Sequence, residues 1–500
     1  MEFINALISL INPSVLMFLL VGVFLGSLIG TLPGLTATMG IALLVPLTFW
    51  LDSTSGFAML IGLWNSAIWS GGISAILINT PGTPASIMTT LDGYELTKKG
   101  HARLALDINT VGSVFGGLFS TLILIIFAFP LSKVTLKFGP PEYFALGVFG
   151  LTMMIAIGGT SLLKSLTMGI AGLLIATIGS DAVVGAQRFT FGNINLIQGI
   201  NFIAMLIGSL GLSEILYQIA TREFFGNRDT NIKFGDEKIN FSILKKIFFP
   251  SIASSGVGII VGAIPAAGGD IASIISYGQA KKLSKNPQEY GKGSLVGLAI
   301  SCVTNNSVIG GALITMLTLG IPGDTVTAIL IGALISYGVQ PGAQMFTNNA
   351  TLVYTIMCLM ILANIIILIY GLLMTRVMSK FLKLKKEYIW ISVCIFSLIG
   401  SYALQYSLFD VFIMLLFSLI GLVAKINDYP LGPFILGFLL EPIIESNFNR
   451  SLVLSYGSVN FLWSRPITML FLGFSILSVL ISMIIESRNR KKNIEKLNNN

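Results

Sequence analysis

The chain has 500 residues, of which 54% are apolar and only 10% are charged, with a mean hydropathy of +0.86. A soluble domain carries about 25% charged residues, so too few remain here to cover a water-facing surface, and a string of soluble domains is excluded. The net charge of +8 is spread over short loops with no soluble basic face, which excludes nucleic acid as the partner; a lipid bilayer, in which backbone groups must pair internally, accounts for the apolar excess.

The start, Met1-Glu2-Phe3, lacks the basic region of a signal peptide, so the first apolar segment is expected to be retained. No Lys or Arg occurs from Met1 to Thr97. That stretch holds Gly26-x-x-x-Gly30-x-x-Pro33, a neutral loop near 50–56, Asn65-Ser66, Gly71-Gly72 and the break Asn79-Thr80-Pro81-Gly82-Thr83-Pro84-Ala85. A basic loop follows at 93–103 with Lys98, Lys99 and Arg103. A helical crossing needs about 20 apolar residues, and runs of that kind occupy 104–130, 142–160, 163–181 and 195–218. After the basic loop 222–246 comes a second Gly-x-x-x-Gly-x-x-Pro, Gly258 to Pro265, then Gly268-Gly269-Asp270 and the basic loop 281–292. From Gly293 to Thr375 Lys and Arg are again absent. There lie Asn305-Asn306-Ser307, Gly310-Gly311, Thr318 to Val326 with Pro322-Gly323-Asp324-Thr325, and a neutral loop at 335–350. Crossings at 351–375, 407–424 and 466–486, a basic loop at 376–387 and a basic tail at 487–500 complete the chain. The polar, Asn-rich tail is expected to be disordered. Counting shorter segments, 12 to 16 membrane segments are expected.

Positive charge stays in the cytoplasm, so the five basic stretches are expected inside, the C-terminal tail among them, and the two neutral loops outside. The glycine–proline motif, the Asn-Ser pair, the Gly-Gly pair and the Pro-Gly pair recur in one order in both halves, which marks a duplication. In the first half the neutral loop precedes the basic one; in the second the order is swapped. That swap predicts two inverted-topology repeats and an external N-terminus. The expected fold is an all-α polytopic membrane bundle with inverted repeats and discontinuous or re-entrant helices. Its divisions are a first repeat with following helices at 1–221, a connecting loop at 222–246, a second repeat with following helices at 247–486 and the tail.

Proline opens a helix and frees backbone groups at membrane depth, and a free helix start offers N–H groups to an anion. The two Pro-Gly breaks are flanked by hydroxyls and amides, with no Lys or Arg in them. The expected substrate-binding set is Asn65, Ser66, Thr80, Pro81, Gly82, Thr83, Asn305, Asn306, Ser307, Thr318, Pro322, Gly323 and Thr325. Asp270 and Asp324 are acids in apolar surroundings. They are read either as ion-coupling groups, for Na⁺ or H⁺, or as helix caps. His101 is the sole histidine, which leaves no histidine metal site or relay. Cys302, Cys358 and Cys394 have neither zinc nor disulfide spacing and read as small packing residues. No residue cluster suits a membrane enzyme, and no catalytic residue or cofactor is expected.

At these residues the chain resembles the large membrane subunit of the tripartite tricarboxylate transporters. The likeness covers nearly the whole length. It is most specific over Gly26 to Phe49, Gly71 to Pro84, Leu91-Asp92-Gly93-Tyr94 and Asn305 to Asp324. The chain departs from the family pattern at Val296, at Ser301-Cys302 and at Thr315. The resemblance implies a translocation subunit of the bacterial inner membrane that works with a small membrane subunit of about four helices and a periplasmic solute-binding protein. It implies import of citrate-like di- or tricarboxylates driven by an ion gradient, without ATP, and the chain has no Gly-x-x-x-x-Gly-Lys phosphate loop. A passive channel or exporter for small organic anions is the competing expectation.

Overall fold

A computed structural model describes residues 2–157, 161–181, 183, 185–221, 234–265, 267–381 and 386–498. In chain order its helices are α1 (Glu2–Leu10), α2 (Pro13–Thr31), α3 (Ala37–Thr48), α4 (Ser53–Ile78), α5 (Ile87–Lys98), α6 (Ala102–Thr135), α7 (Pro140–Ile157) and α8 (Leu162–Ala176). A hairpin of β1 (Gly179–Ser180) and β2 (Gln187–Arg188) precedes α9 (Phe202–Leu206), a π-helical stretch (Ile207–Leu212) and α10 (Ser213–Ala220). There follow α11 (Phe241–Ala263), α12 (Gly268–Leu283), α13 (Leu295–Leu319), α14 (Thr325–Ser336), α15 (Met345–Asn348) and α16 (Ala350–Phe381). The last five are α17 (Lys386–Ala403), α18 (Leu408–Ile426), α19 (Leu431–Leu454), α20 (Phe461–Ser464) and α21 (Pro466–Asn498).

Among the described residues, ten helices are long and apolar enough to cross a membrane, and four shorter apolar ones accompany them. The protein is a polytopic helical membrane protein. Expected boundaries shift in places. The run 163–181 yields a helix only to Ala176, with the hairpin starting at Gly179, and the run 195–218 becomes α-helical only at Phe202, capped by Asn201. The tail expected to be disordered instead continues α21 to Asn498. A helix already nucleated in the membrane propagates cheaply, and residues 486–496 are rich in Glu, Lys and Arg, which favour it.

The chain divides into two compact units. Unit 1 comprises 1–133 and 218–407, and unit 2 comprises 134–217 and 408–500.

In unit 1 the two glycine–proline stretches build like arrangements. Gly22, Gly26 and Gly30 of α2 lie against the carbonyls of Met59, Leu63 and Ala67 of α4, so close that a Cβ would collide with each oxygen. Ser66 Oγ donates to the Val23 carbonyl at 2.6 Å. Likewise Gly258 and Gly262 of α11 lie against Thr304 and Val308 of α13, and Thr315 Oγ1 donates to the Ala263 carbonyl at 2.8 Å. Small residues at every fourth position allow such approach. The pairings advance together, so α2 runs parallel to α4, and α11 to α13. α4 and α13 are almost wholly enclosed. That explains their Asn, Ser, Thr and Gly content: they face protein, and their polar groups find partners there.

Two more helices tie the halves together. α6 runs alongside α13 in the same direction, with Gly112 against Cys302, Gly116 against Val303 and Ser120 against Gly310. α16 runs opposite to α6, with Phe129 on Tyr354 at 4.9 Å and Gly117 on Asn364. It runs in the direction of α4, with Asn364 bonded to Asn65 at 3.2 Å and Tyr370 against Trp69.

In unit 2, α19 packs on α7 and α8, and α7 also packs on α21. Gly172 of α8 and Gly437 of α19 give backbone-to-backbone contact. Glu142 of α7 pairs with Arg465, and Lys425 of α18 with Glu214 of α10.

Candidate functional site

Both long central helices stop where the sequence places its breaks. α4 ends at Asn79 in the left-handed region (φ 56°), and α13 ends at Gly320 in the same region (φ 72°), each two residues before its proline. After each proline the chain folds back onto the end of the glycine helix. Gly82 N donates to the Gly71 carbonyl at 3.1 Å, and Gly82 lies against the Gly30 carbonyl with no room for a Cβ. Gly323 lies against Ala312 and the Gly262 carbonyl in the same manner. The Pro-Gly turns are therefore pressed against α2 and α11 just ahead of Pro33 and Pro265.

Four helix starts gather there in two pairs. In one pair, Thr38 at the start of α3 meets Thr325 at the start of α14, hydroxyl to hydroxyl at 3.0 Å. Both starts are capped by their own chain. Thr36 accepts from Met39 N, and Asp324 forms a capping box with Thr327. In the other pair, the short 3₁₀ turn Pro84–Ser86 ahead of α5 meets the start of α12, with Gly269 against Ala85. Neither of these starts has a side-chain cap. Free N–H groups at helix starts suit an anion. Asn305 of α13 stands over this pair. Its Nδ2 donates to Ser86 Oγ at 3.3 Å, while its Oδ1 is buried without a hydrogen-bond partner.

The sequence-expected residues divide between this place and elsewhere. Thr83 bonds Ser86 at 3.0 Å, and Pro81, Gly82, Pro322, Gly323 and Thr325 all lie in the loops or at the helix starts, while Asn305 reaches Ser86 from within α13. Thr80 Oγ1 donates to the Ile78 carbonyl at 3.3 Å, at the end of α4. The structure does not bring the others there. Asn65 bonds Ile61, Met360 and Asn364, and Ser66 bonds Val23. Asn306, Ser307 and Thr318 bond the preceding turn of their own helix. Asp324 is a helix cap, and Asp270 lies in the first turn of α12. Sequence reasoning missed Ser86 and Thr38. Ser86 is two residues after Pro84, the position of a helix entry, and that was its available signal.

The model of the tripartite tricarboxylate transporter TctA family matches residues 16–436. The chain belongs to that family. A relative from Agrobacterium vitis, described as an uncharacterized 52.8 kDa protein in the TAR-I ttuC' 3' region, is 35% identical over 488 residues, covering 97% of this chain and 96% of that protein. A second from the same organism, an uncharacterized protein in the TAR-II ttuC' 3' region, is 30% identical over 238 residues, or 47% of this chain and 98% of that protein. No solved structure matches. This TctA-family chain is thus a membrane transporter component of a family whose systems contain further subunits.

Proposed function

We propose that the chain is the translocation subunit of a tripartite secondary transporter that imports di- or tricarboxylates across a bacterial inner membrane. A periplasmic binding protein delivers the substrate, a small four-helix membrane subunit assists, and a Na⁺ or H⁺ gradient drives uptake. The observation that carries the reading is the meeting of two uncapped helix starts, Pro84–Ser86 and α12, beneath Asn305. Main-chain N–H groups there take a carboxylate. The free Asn305 Oδ1 accepts from a hydroxyl, as a hydroxy acid of the citrate type would supply. Because the amide carries both an acceptor and two donors, the site accommodates a ligand that presents both kinds of group.

The inverted-repeat arrangement belongs to the same reading. α6 runs with α13, α16 runs against α6 and with α4; α4 and α13 therefore point in opposite directions. Two like halves of opposite sense suit alternating access around a central site.

The test is uptake of labelled citrate by proteoliposomes that hold the complete transporter, with binding protein supplied outside and a Na⁺ or proton gradient imposed. Accumulation above the outside concentration is expected, whereas mere equilibration makes the protein a channel. Asn305→Ala removes a hydrogen bond to the substrate hydroxyl, worth about 0.5–1.5 kcal/mol. A loss of uptake of about two- to ten-fold is expected. Wild-type uptake by that variant removes Asn305 from the site.

A further inference from the structure

Unit 2 contains a cluster of charges that the substrate reading does not use. Glu441 is 6% exposed and stands ten residues into the 24-residue α19, about 15 Å along it at 1.5 Å per residue. That is mid-span for a membrane helix. Glu445, one turn on along α19, lines the same cavity as Glu441, so the two carboxyl groups are neighbours. Arg188 of the β1–β2 hairpin reaches the pair from the side, with Nη1 on Glu445 Oε1 at 2.7 Å and its other terminal nitrogen on Asp181. A cavity of about 220 Å³ opens on these groups, lined also by Thr177, Ser180 and Gln198.

The charges do not balance. One guanidinium faces three carboxyl groups, and it pairs with Asp181 and Glu445. Among the described residues the other packed elements bring no second cation to it, and Arg450 of α19 itself stands five residues past Glu445. Lys164 of α8 donates to the Asn427 carbonyl near the opposite end of α19, and Glu142 of α7 is held by Arg465. Asp410 of α18 bonds Asn201, Lys425 pairs with Glu214, and α9 has no charged residue. Two neighbouring carboxylates that face a single guanidinium repel each other while both are ionised, and one shared proton relieves that repulsion. No set of three or more acids, histidines or cysteines among the described residues is arranged to hold a metal ion. An ionisable side chain kept at membrane depth, lining a polar cavity, points to ion or proton handling.

We propose that Glu441 and Glu445 form an intramembrane proton-binding site, in which the two carboxylates share one proton and Arg188 fixes the ionised partner, Glu445. Binding joins one proton to two carboxylates and leaves a carboxylic acid hydrogen-bonded to a carboxylate. Release restores two anions that face a single guanidinium. The site is separate from the Pro-Gly loops, so its fate does not depend on the substrate reading.

Infrared spectroscopy of the purified full chain, compared in H₂O and D₂O at neutral pH, reads protonated carboxyl groups directly. The wild type is expected to show a protonated-carboxyl band that is missing from Glu441→Gln. It should be missing also from Glu445→Gln, where the new amide donates to Glu441 in place of the proton. Glu95→Gln, on the surface of unit 1, should leave the band unchanged. A wild-type spectrum without such a band overturns the proposal with no variant needed. So does a band of full strength in either folded glutamine variant.

Discussion

Asp92 shows how much one side chain decides. It is fully buried on α5, and its Oδ1 accepts from Gly291 N, Gly293 N and Ser294 N at 2.7–2.9 Å, while Tyr277 Oη donates to Oδ2 at 2.7 Å. One carboxylate thus ties α5 of the first half to the loop and helix start of the second. Bonds to a charged acceptor contribute about 1.5–3 kcal/mol each, and buried donors left without a partner cost about 1–3 kcal/mol each. Asp92→Ala is expected to lower stability by more than about 3 kcal/mol, and Tyr277→Phe, which loses one bond, by about 1.5–3 kcal/mol. Thermal unfolding in detergent checks the order; equal midpoints for the two variants would show that the carboxylate is not the tie. Asp324 belongs to the same scale. As a cap it contributes about 1 kcal/mol, and as a coupling group it governs ion dependence. Asp324→Asn, which keeps an amide oxygen to cap α14, is expected to fold and to lose ion-driven uptake. Uptake with unchanged ion dependence leaves it a cap alone.

Among elements, the glycine helices set the geometry. A Cβ at Gly30 would strike the Ala67 carbonyl and the Ser70 hydroxyl, whereas one at Gly256 or Gly278 meets nothing within 4 Å. Overpacking costs about 1–3 kcal/mol or more when backbone must move, and a helical Gly→Ala in open space gains about 0.5–1 kcal/mol. Gly30→Ala should therefore destabilise and pull the Pro81-Gly82 turn from its seat, while Gly256→Ala and Gly278→Ala should be neutral or stabilising. The thermal midpoints of the three variants decide it, and equal shifts would mean that the α2–α4 contact is loose. α3 and α14, at 12 residues each, span about 18 Å. That is too short to cross the hydrocarbon, and the caps from Thr36 and Asp324 keep N–H groups at their starts occupied.

For the whole molecule, the compact units do not follow the chain: each is assembled from two stretches that are separated in the sequence. The inverted reading makes a prediction at this scale. In a background without Cys302, Cys358 and Cys394, a cysteine at exposed Gln340 should react with a membrane-impermeant thiol reagent added outside cells. One at exposed Lys285 should react only after the membrane is opened. Labelling of both from one side would end the two-repeat arrangement.

Composition and loop charge were enough to specify a membrane-embedded helical protein, because burial in lipid is a matter of average polarity along a helix. The broken segments were legible too, since proline and glycine act on the backbone locally, and Asn79 and Gly320 end their helices two residues before each proline as that chemistry requires. Contacts between distant segments were not legible. Asn65 and Asn305 are both amides on apolar helices, yet one bonds within the packed interior and the other keeps a free oxygen over a helix start. Glu441 and Glu445 carry no signal in the sequence, and only the packing of α19 beside the hairpin that holds Arg188 brings a cation to them. Which polar groups are satisfied and which remain free depends on neighbours hundreds of residues away, and only the folded chain supplies them.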